Sequence, residues 1–300
     1  MCTIQKGYLF HYVVLFINIQ GVSTLQYKLG LIGYPIKHSL SPWIHGEFLE
    51  KTNLNGSYSI IEIKQDDFDK EIKKLKQLNL QGFNITVPYK EKIIPYLDEI
   101  DTQAKHIGAV NTVHNKDGKW IGYNTDGIGY MNSLLTKYPK LTNDKTLDVL
   151  LLGAGGAAKG ILHALLHHGY ENITIANRSI ERAEQLAKAN NNIQTASLTE
   201  AENNLQTYSL IIQTTSVGMK PNEEESIISL DLLNPNAVVS DIVYQPLLTT
   251  FLKQAKGKGA NIHFGHTMLL YQAQYAFEIW TGIKPEIDSL DEELKNILEG

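Results

Sequence analysis

The chain has a single cysteine, Cys2. It can build neither a disulfide framework nor a thiolate metal cluster on its own, which points to a reducing compartment. Positive charge is not in excess: 27 Lys and Arg stand against 32 Asp and Glu, a net charge of −5. The basic footprint of a nucleic-acid binder, or of a protein held on an acidic membrane face, is therefore missing. So is a membrane-spanning run. The apolar stretch "YLFHYVVLFINI" at 8–19 is too short and has a histidine inside it. Lys6 precedes that stretch, as in a signal peptide, but no small-residue cleavage site follows at "QGVSTLQ". Residues 1–26 are accordingly set apart as an N-terminal extension, and a cytoplasmic location is expected. There are no repeats and no low-complexity tracts. What remains, 43% hydrophobic and 20% charged over 300 residues, is the composition of a globular chain of one large or two ordinary domains.

The globular pattern begins at "YKLGLIG", 27–33, a short buried strand. Ser41-Pro42 reads as a helix start, with serine at the N-cap and proline at the first helical position. "SYSIIEI" (57–63) is a β-branched strand, and residues 65–79 place Phe68, Ile72, Leu75 and Leu78 on one helical stripe. "GFNITVPY" (82–89) reads as a strand ended by Pro88, followed by helical pattern to about 107. "AVNTVHN" and "KWIGYNTD" form a hairpin turning at Asp117-Gly118. From 127 the pattern changes. A helix leads to the continuous apolar run "LDVLLLG", and strands then alternate with helices as far as "NIHF", with helix from Gly265 to the end. Alternation of this kind implies a parallel sheet with crossover helices. The expected fold is α/β in two domains. An N-terminal α/β domain spans 27–126 and a Rossmann-type, doubly wound parallel-sheet domain spans 127–265. Helices from 266 to 300 return to the N-terminal domain. The helices after Asp126 and from His266 carry the chain between domains and form the expected hinge, with the ligand cleft between the domains.

"LLGAGGAAKG" (151–160) links the strand to the helix that opens the second half. Gly153, Gly155 and Ala158 fit G-x-G-x-x-G/A, and Gly156 adds a further permissive residue. The first glycine allows the tight turn and the second lets backbone approach phosphate, while the helix N-terminus offers free N–H groups. Ala154 and Ala157 complete the turn. At the end of the next strand an NAD site usually presents Asp or Glu to the ribose 2′-hydroxyl. Here that place holds Asn177-Arg178-Ser179, with Arg182 one turn later. With no carboxylate at the tip, and Arg178 able to bind a 2′-phosphate through charge-assisted hydrogen bonds, NADP is expected over NAD.

Three polar stretches of the first half, "GYPIKHSLSPWIHG", "NITVPYKE" and "GAVNTV" with "NTDG", join this turn and "GHTMLLYQA" (265–273) in a closer likeness. In content and order, from about residue 28 to the C-terminus, they resemble the shikimate dehydrogenase family. That resemblance implies NADPH-dependent reduction of 3-dehydroshikimate to shikimate, on the route to aromatic amino acids. It implies Lys90 and Asp126 as the catalytic pair, Ser39 and Ser41 on the substrate carboxylate, and Thr86, Asn111 and Gln272 on the ring hydroxyls. On the cofactor side it covers the glycine turn, Asn177, Arg178, Thr214 in "TTSVGM", Ile242 and Gly265. Two hydroxyl donors at a helix N-terminus make an anion site on physical grounds as well. Tyr244 could face either substrate or cofactor. The chain departs from the family at Gly46, where asparagine is usual, at His266 and Thr267, and at Ser179. Serine there replaces the commoner threonine but retains a hydroxyl donor.

Ketone reduction needs a hydride at carbon and a proton at oxygen. The cofactor brings the first, and the Lys90 ammonium, oriented by Asp126, suits the second. His38 and His45 read as structural. His163, His167 and His168 read as a solvated helix face rather than a metal site, and no metal is expected. No nucleic-acid or membrane partner is expected, and the chain would act as monomer or homodimer. A quinate/shikimate dehydrogenase with broader substrate or NAD use stands as the near alternative. A non-catalytic sensor of the same fold is the distant one, and Lys90 with Asp126 argues against it.

Overall fold

The computed structural model describes residues 26–188 and 190–300, so nearly all of the 1–26 extension lies outside the described residues. The first sheet is built around β1 (Tyr27–Gly33), whose last five residues are buried. It runs parallel to β2 (Gly56–Glu62) on one side and β3 (Gly82–Ile85) on the other. α1 (Ser41–Lys51) and α2 (Phe68–Leu75) make the crossovers. Phe68, Ile72 and Leu75 are buried as their spacing predicts. Leu78 is 53% exposed instead: the helix tightens to a 3₁₀ turn at Lys76–Leu78, and Asn79 turns left-handed, which rotates the stripe away. Beyond β3 come β4 (Glu99–Ile100), α3 (Thr102–Ile107), β5 (Thr112–Lys116) and β6 (Lys119–Tyr123), giving the order β2-β1-β3-β5-β6-β4. β5 and β6 form the expected hairpin, with Asp117 and Gly118 both at positive φ.

The expected strand at 82–89 ends early, at Ile85. From Thr86 the backbone folds into turns, with Tyr89 N–H on Thr86 O and Ile93 N–H on Tyr89 O. Tyr89 fixes this bend. It is fully buried, stacks on Phe68 at 4.3 Å, and donates its hydroxyl to Ile63 O. Lys90 is thereby lifted off the end of the sheet.

The second sheet follows α4 (Asp126–Lys137). Its units are β7 (Val149–Leu152), α5 (Gly156–His167), β8 (Ile173–Ala176), α6 (Ile180–Ala187), β9 (Gln194–Ala196) and α7 (Leu198–Asn203). Then come β10 (Leu210–Gln213), β11 (Val238–Asp241), α8 (Thr250–Gly257) and β12 (Asn261–His263). All pairings are parallel in the order β12-β11-β10-β7-β8-β9. Val149 and Leu151 enter the core on one face, Leu150 and Leu152 that on the other, as a strand covered on both sides requires. The chain winds outward from β7 to β9, then crosses back to β10 and winds the other way. The ends of β7 and β10 therefore form the topological switch point where open α/β sheets bind ligands.

The C-terminal segment from Gly265 forms two helices. α9 (Gly265–Thr281) stops at Gly282, which takes the left-handed conformation at φ 73°. α10 (Leu290–Glu299) then lays Leu290 and Leu294 against Ile44 and Phe48 of α1 and Phe277 of α9. No helix among the described residues is long and apolar enough to cross a membrane.

Candidate active site

The centre of the site is an ion pair. Lys90 Nζ lies 2.6 Å from Asp126 Oδ2, with side chains only 18% and 6% exposed. Asp126 is the first residue of α4, where the helix N-terminus favours a carboxylate. Its second oxygen, Oδ1, accepts from Asn111 Nδ2 at 2.9 Å, and the same amide nitrogen reaches Gln272 Oε1 at 3.4 Å. Hydrogen bonds thus gather Lys90, Asp126, Asn111 and Gln272 from four separate segments.

Glycines make that gathering possible. A side chain at Gly127 would collide with the Gly160 carbonyl, so α4 and α5 meet backbone to backbone beside Asp126. A side chain at Gly129 would come within 2.6 Å of Gln272 N, which sets α4 against α9.

Behind the pair lies a buried polar layer that sequence reasoning missed. Thr125 donates its backbone N–H to Asn111 Oδ1 at 2.8 Å, and Thr112 Oγ1 donates to the same oxygen at 3.0 Å. Asn84 Nδ2 donates to Thr112 Oγ1 at 3.1 Å, and the Tyr58 hydroxyl donates to Asn84 Oδ1 at 2.7 Å. Asn124 accepts from the Asp126 N–H at 3.1 Å and donates to Ala109 O. Asn84, Thr112, Asn124 and Thr125 all stand inside the polar stretches singled out above, within two residues of selected ones. That proximity was the available signal. Tyr58, in β2, carried none.

Ser39 and Ser41 face each other at the start of α1. Ser39 Oγ donates to Ser41 Oγ at 3.2 Å and accepts from the Ser41 N–H at 3.2 Å. Ser41 is therefore the first helical residue rather than the cap, because Leu40 holds the N-cap place in a helical conformation and Ser39 reaches over it. His45 is fully buried and stacked on Tyr58 at 4.4 Å, and burial pushes it down to about 3, so it is neutral and apolar in its packing. His38 is exposed. Thr86 follows β3 with its methyl beside Gly33, and Tyr244 is half-buried after β11, its phenol pushed up by burial. Among the described residues neither enters the hydrogen-bonded groups of Lys90 or of the serines.

The glycine turn is built against the same lysine. Gly153 has φ 112°, and a side chain there would meet Thr214 Oγ1 at 2.6 Å. Thr214 is itself pinned to Leu152 O at 2.7 Å. A side chain at Gly155 would meet nothing within 4 Å, so the backbone is open to a ligand. One at Gly156 would sit 3.8 Å from Lys90 Cδ. No side chain caps α5, which leaves its first N–H groups, past Ala154 and Ala157, free for a pyrophosphate. Gly265 packs directly on the Ile242 carbonyl at the end of β11, a contact no side chain would allow. This donor set and open backbone fit a dinucleotide.

At the tip of β8, Asn177 Nδ2 donates to Ser179 O at 2.9 Å, and Arg178 and Arg182 are exposed. One expectation is corrected here. The loop is not free of carboxylate: Ser179 Oγ donates to Glu181 Oε2 at 2.6 Å. The serine places the helix start so that a side chain two residues on folds toward it.

His167 is exposed and His163 half-buried on α5, the solvated helix face that was expected. With His106 of α3 they line a cavity of about 460 Å³ between α3, α5 and α6, with the His106 and His163 rings 6.3 Å apart. Burial and the neighbouring histidines push His163 down. No group of three His, Cys, Asp or Glu among the described residues is placed to hold a metal ion.

A Rossmann-order sheet whose glycine turn abuts a largely buried ammonium–carboxylate pair, carried by a second α/β lobe, defines a two-domain, dinucleotide-dependent dehydrogenase. Comparison with known proteins narrows this class. Residues 31–113 match the shikimate dehydrogenase substrate binding domain. Residues 136–241 match the shikimate / quinate 5-dehydrogenase family, and 265–295 the shikimate 5′-dehydrogenase C-terminal domain. The shikimate dehydrogenase (NADP(+)) of Oceanobacillus iheyensis is 55% identical over 274 residues, 91% of this chain and 99% of that protein. Among solved structures, shikimate 5-dehydrogenase from Thermus thermophilus, in complex with NADP(H) and shikimate, superposes with a TM-score of 0.80 at 32% identity. The match covers 90% of this chain and 99% of that one. The enzyme from Listeria monocytogenes, in complex with shikimate and NAD, gives 0.80 at 34% identity, covering 90% and 96%. The chain belongs to the shikimate dehydrogenase family.

Proposed function

We propose that this chain catalyses the reversible NADPH-dependent reduction of 3-dehydroshikimate to shikimate, in the cytoplasm, as a step of aromatic amino-acid biosynthesis. The observation that carries this reading is the Lys90–Asp126 pair, held at 2.6 Å with Gly156 of the nucleotide turn beside the lysine stem. Bound along the turn from Gly153 to Ala157, with Asn177, Arg178, Ser179 and Arg182 at its adenosine end, NADPH supplies the hydride. Thr214, Ile242 and Gly265 line the floor toward its reactive end.

The protein's own part is to hold the ketone and manage one proton. Ser39 and Ser41 hydroxyls take the carboxylate at the α1 N-terminus. Thr86, Asn111 and Gln272 orient the ring hydroxyls, with Tyr244 at the margin. Lys90 Nζ hydrogen-bonds the carbonyl oxygen, stabilises the charge that develops there, and delivers its proton to that oxygen. Asp126 keeps the ammonium in place through Oδ2, while Asn111 fixes Oδ1. In the oxidative direction the neutral amine left on Lys90 takes the proton back from the substrate hydroxyl.

The test is an assay of shikimate oxidation with NADP⁺ and with NAD⁺, followed by absorbance of the reduced nicotinamide. Turnover with shikimate and NADP⁺ is expected. No turnover with either nucleotide sinks the reading, and turnover of quinate at a comparable rate would shift it to the broader enzyme.

A further inference from the structure

A carboxylate stands beside the residues assigned to the adenosine end of the nucleotide. In a doubly wound sheet the adenosine ribose reaches the end of the second strand, here β8, where an acidic residue accepts from a 2′-hydroxyl or an arginine binds a 2′-phosphate. This chain presents both. Arg178 and Arg182 supply two cations, and neither forms any of the ion pairs found among the described residues. Between them in sequence, Glu181 lies in the first turn of α6. Its carboxylate takes the Ser179 hydroxyl proton in a hydrogen bond of 2.6 Å. Ser179 occupies the N-cap place yet caps no backbone N–H; its hydroxyl is spent on Glu181. The Ser179 hydroxyl and Glu181's own backbone N–H hold that carboxyl below the usual range, so it is anionic at neutral pH.

We propose that Glu181 is a specificity-determining residue: it occupies the Ser179 donor and sets a like charge beside the adenosine 2′ position, narrowing the preference for a 2′-phosphate over a 2′-hydroxyl. The inference rests on the NADP site described above. A 2′-phosphate must displace Glu181 from Ser179 and sit near its charge, with the two arginines still attracting it. A 2′-hydroxyl meets no such conflict and can donate to the carboxylate. The chain therefore retains NADP⁺ as the better nucleotide while using NAD⁺ measurably.

Binding, not turnover, tests this. Adenosine 2′,5′-bisphosphate and adenosine 5′-monophosphate are titrated calorimetrically into the wild type, Glu181→Gln, Glu181→Ala and Ser179→Ala/Glu181→Ala. The ratio of the two dissociation constants reports discrimination at the 2′ position alone. Removing one exposed like charge and releasing one donor should raise that ratio about 3- to 10-fold in both Glu181 variants, with a smaller gain at high salt. The alanine variant offers phosphate no new donor, so agreement between the two assigns the effect to the lost carboxylate. The gain should shrink when Ser179 is also removed. An unchanged ratio in both single variants, with binding intact, overturns the role of Glu181. Failure of the wild type to bind either nucleotide overturns the cofactor site itself, and this inference with it.

Discussion

At the scale of single residues the site is a relay of fixed acceptors and donors ending on one ammonium. Lys90→Ala removes the proposed proton source, and kcat should fall by about 10²–10⁴ while nucleotide binding holds. Single-turnover kinetics check this, and near-full turnover would remove Lys90 from the chemistry. Ser39→Ala with Ser41→Ala removes two donors to a charged group, each contributing about 1.5–3 kcal/mol. The KM for shikimate should rise about 10²-fold or more with kcat at saturation little changed. An unchanged KM would mean the carboxylate binds elsewhere. Lys90, Asp126, Asn111 and Gln272 were legible because chemistry needs their functional groups and the family motifs contain them. Tyr58 and Thr112 were not, since a hydroxyl that only orients another side chain has no signature in sequence. Glu181 was hidden for a related reason. It lies on the surface of α6, and only its hydrogen bond to Ser179 ties it to the strand tip.

At the scale of elements, legibility followed length. β1, with its last five residues buried, the apolar run that holds β7 and the stripe on α2 stood out by their pattern. β4 is two residues long and β9 three, too short for alternation to register. α7 is six residues, set by a capping box of Ser197 and Glu200 rather than by an apolar stripe. The helices that position Asp126 depend on glycine for contact, not flexibility, and this reverses an ordinary expectation. Alanine in a helix interior is normally favoured over glycine by about 1 kcal/mol. Gly46, exposed on α1 with nothing within 4 Å of an added side chain, should follow that rule: Gly46→Ala should raise the melting temperature. Gly127→Ala should do the opposite, because its methyl would enter the Gly160 carbonyl and lie 3.0 Å from Ala164 Cβ. Overpacking of this kind costs about 1–3 kcal/mol. By moving α4 off α5 it should also displace Asp126, so melting temperature and kcat fall together. Gain of stability in both variants would mean the α4–α5 contact is not tight.

At the scale of the whole molecule, the two sheets are joined where the chemistry is. Lys90 lies beside the turn at Gly156, Glu91 pairs with Lys159 at 2.6 Å, and α4 and α9 run between the lobes. Stability of the second lobe depends on one buried acid that the reaction does not use. Asp241, at the end of β11, accepts from Gln213 Nε2 at 3.1 Å, Val243 N–H at 2.9 Å and Thr249 Oγ1 at 2.7 Å. It so ties β10 and β11 to the start of α8. Burial nevertheless pushes its carboxyl up to about 7 against the pull of those three donors. The folded form therefore holds this proton far more tightly than the unfolded chain, whose carboxyl titrates near the usual 3.8. Between those values the unfolded state binds fewer protons, so this group's contribution to stability is greatest at low pH and is lost as pH rises through about 7. Asp241→Asn has no such titration. From about pH 5.5 to about pH 8.5 the stability of the variant relative to wild type should improve by about 2 kcal/mol, the value of roughly 1.5 pH units of linked proton loss. Urea melts of both proteins at the two pH values measure the difference directly, with the remaining titrating groups cancelling between them. Parallel pH curves would place the Asp241 carboxylate in its ionised form throughout, held there by its three donors in spite of its burial.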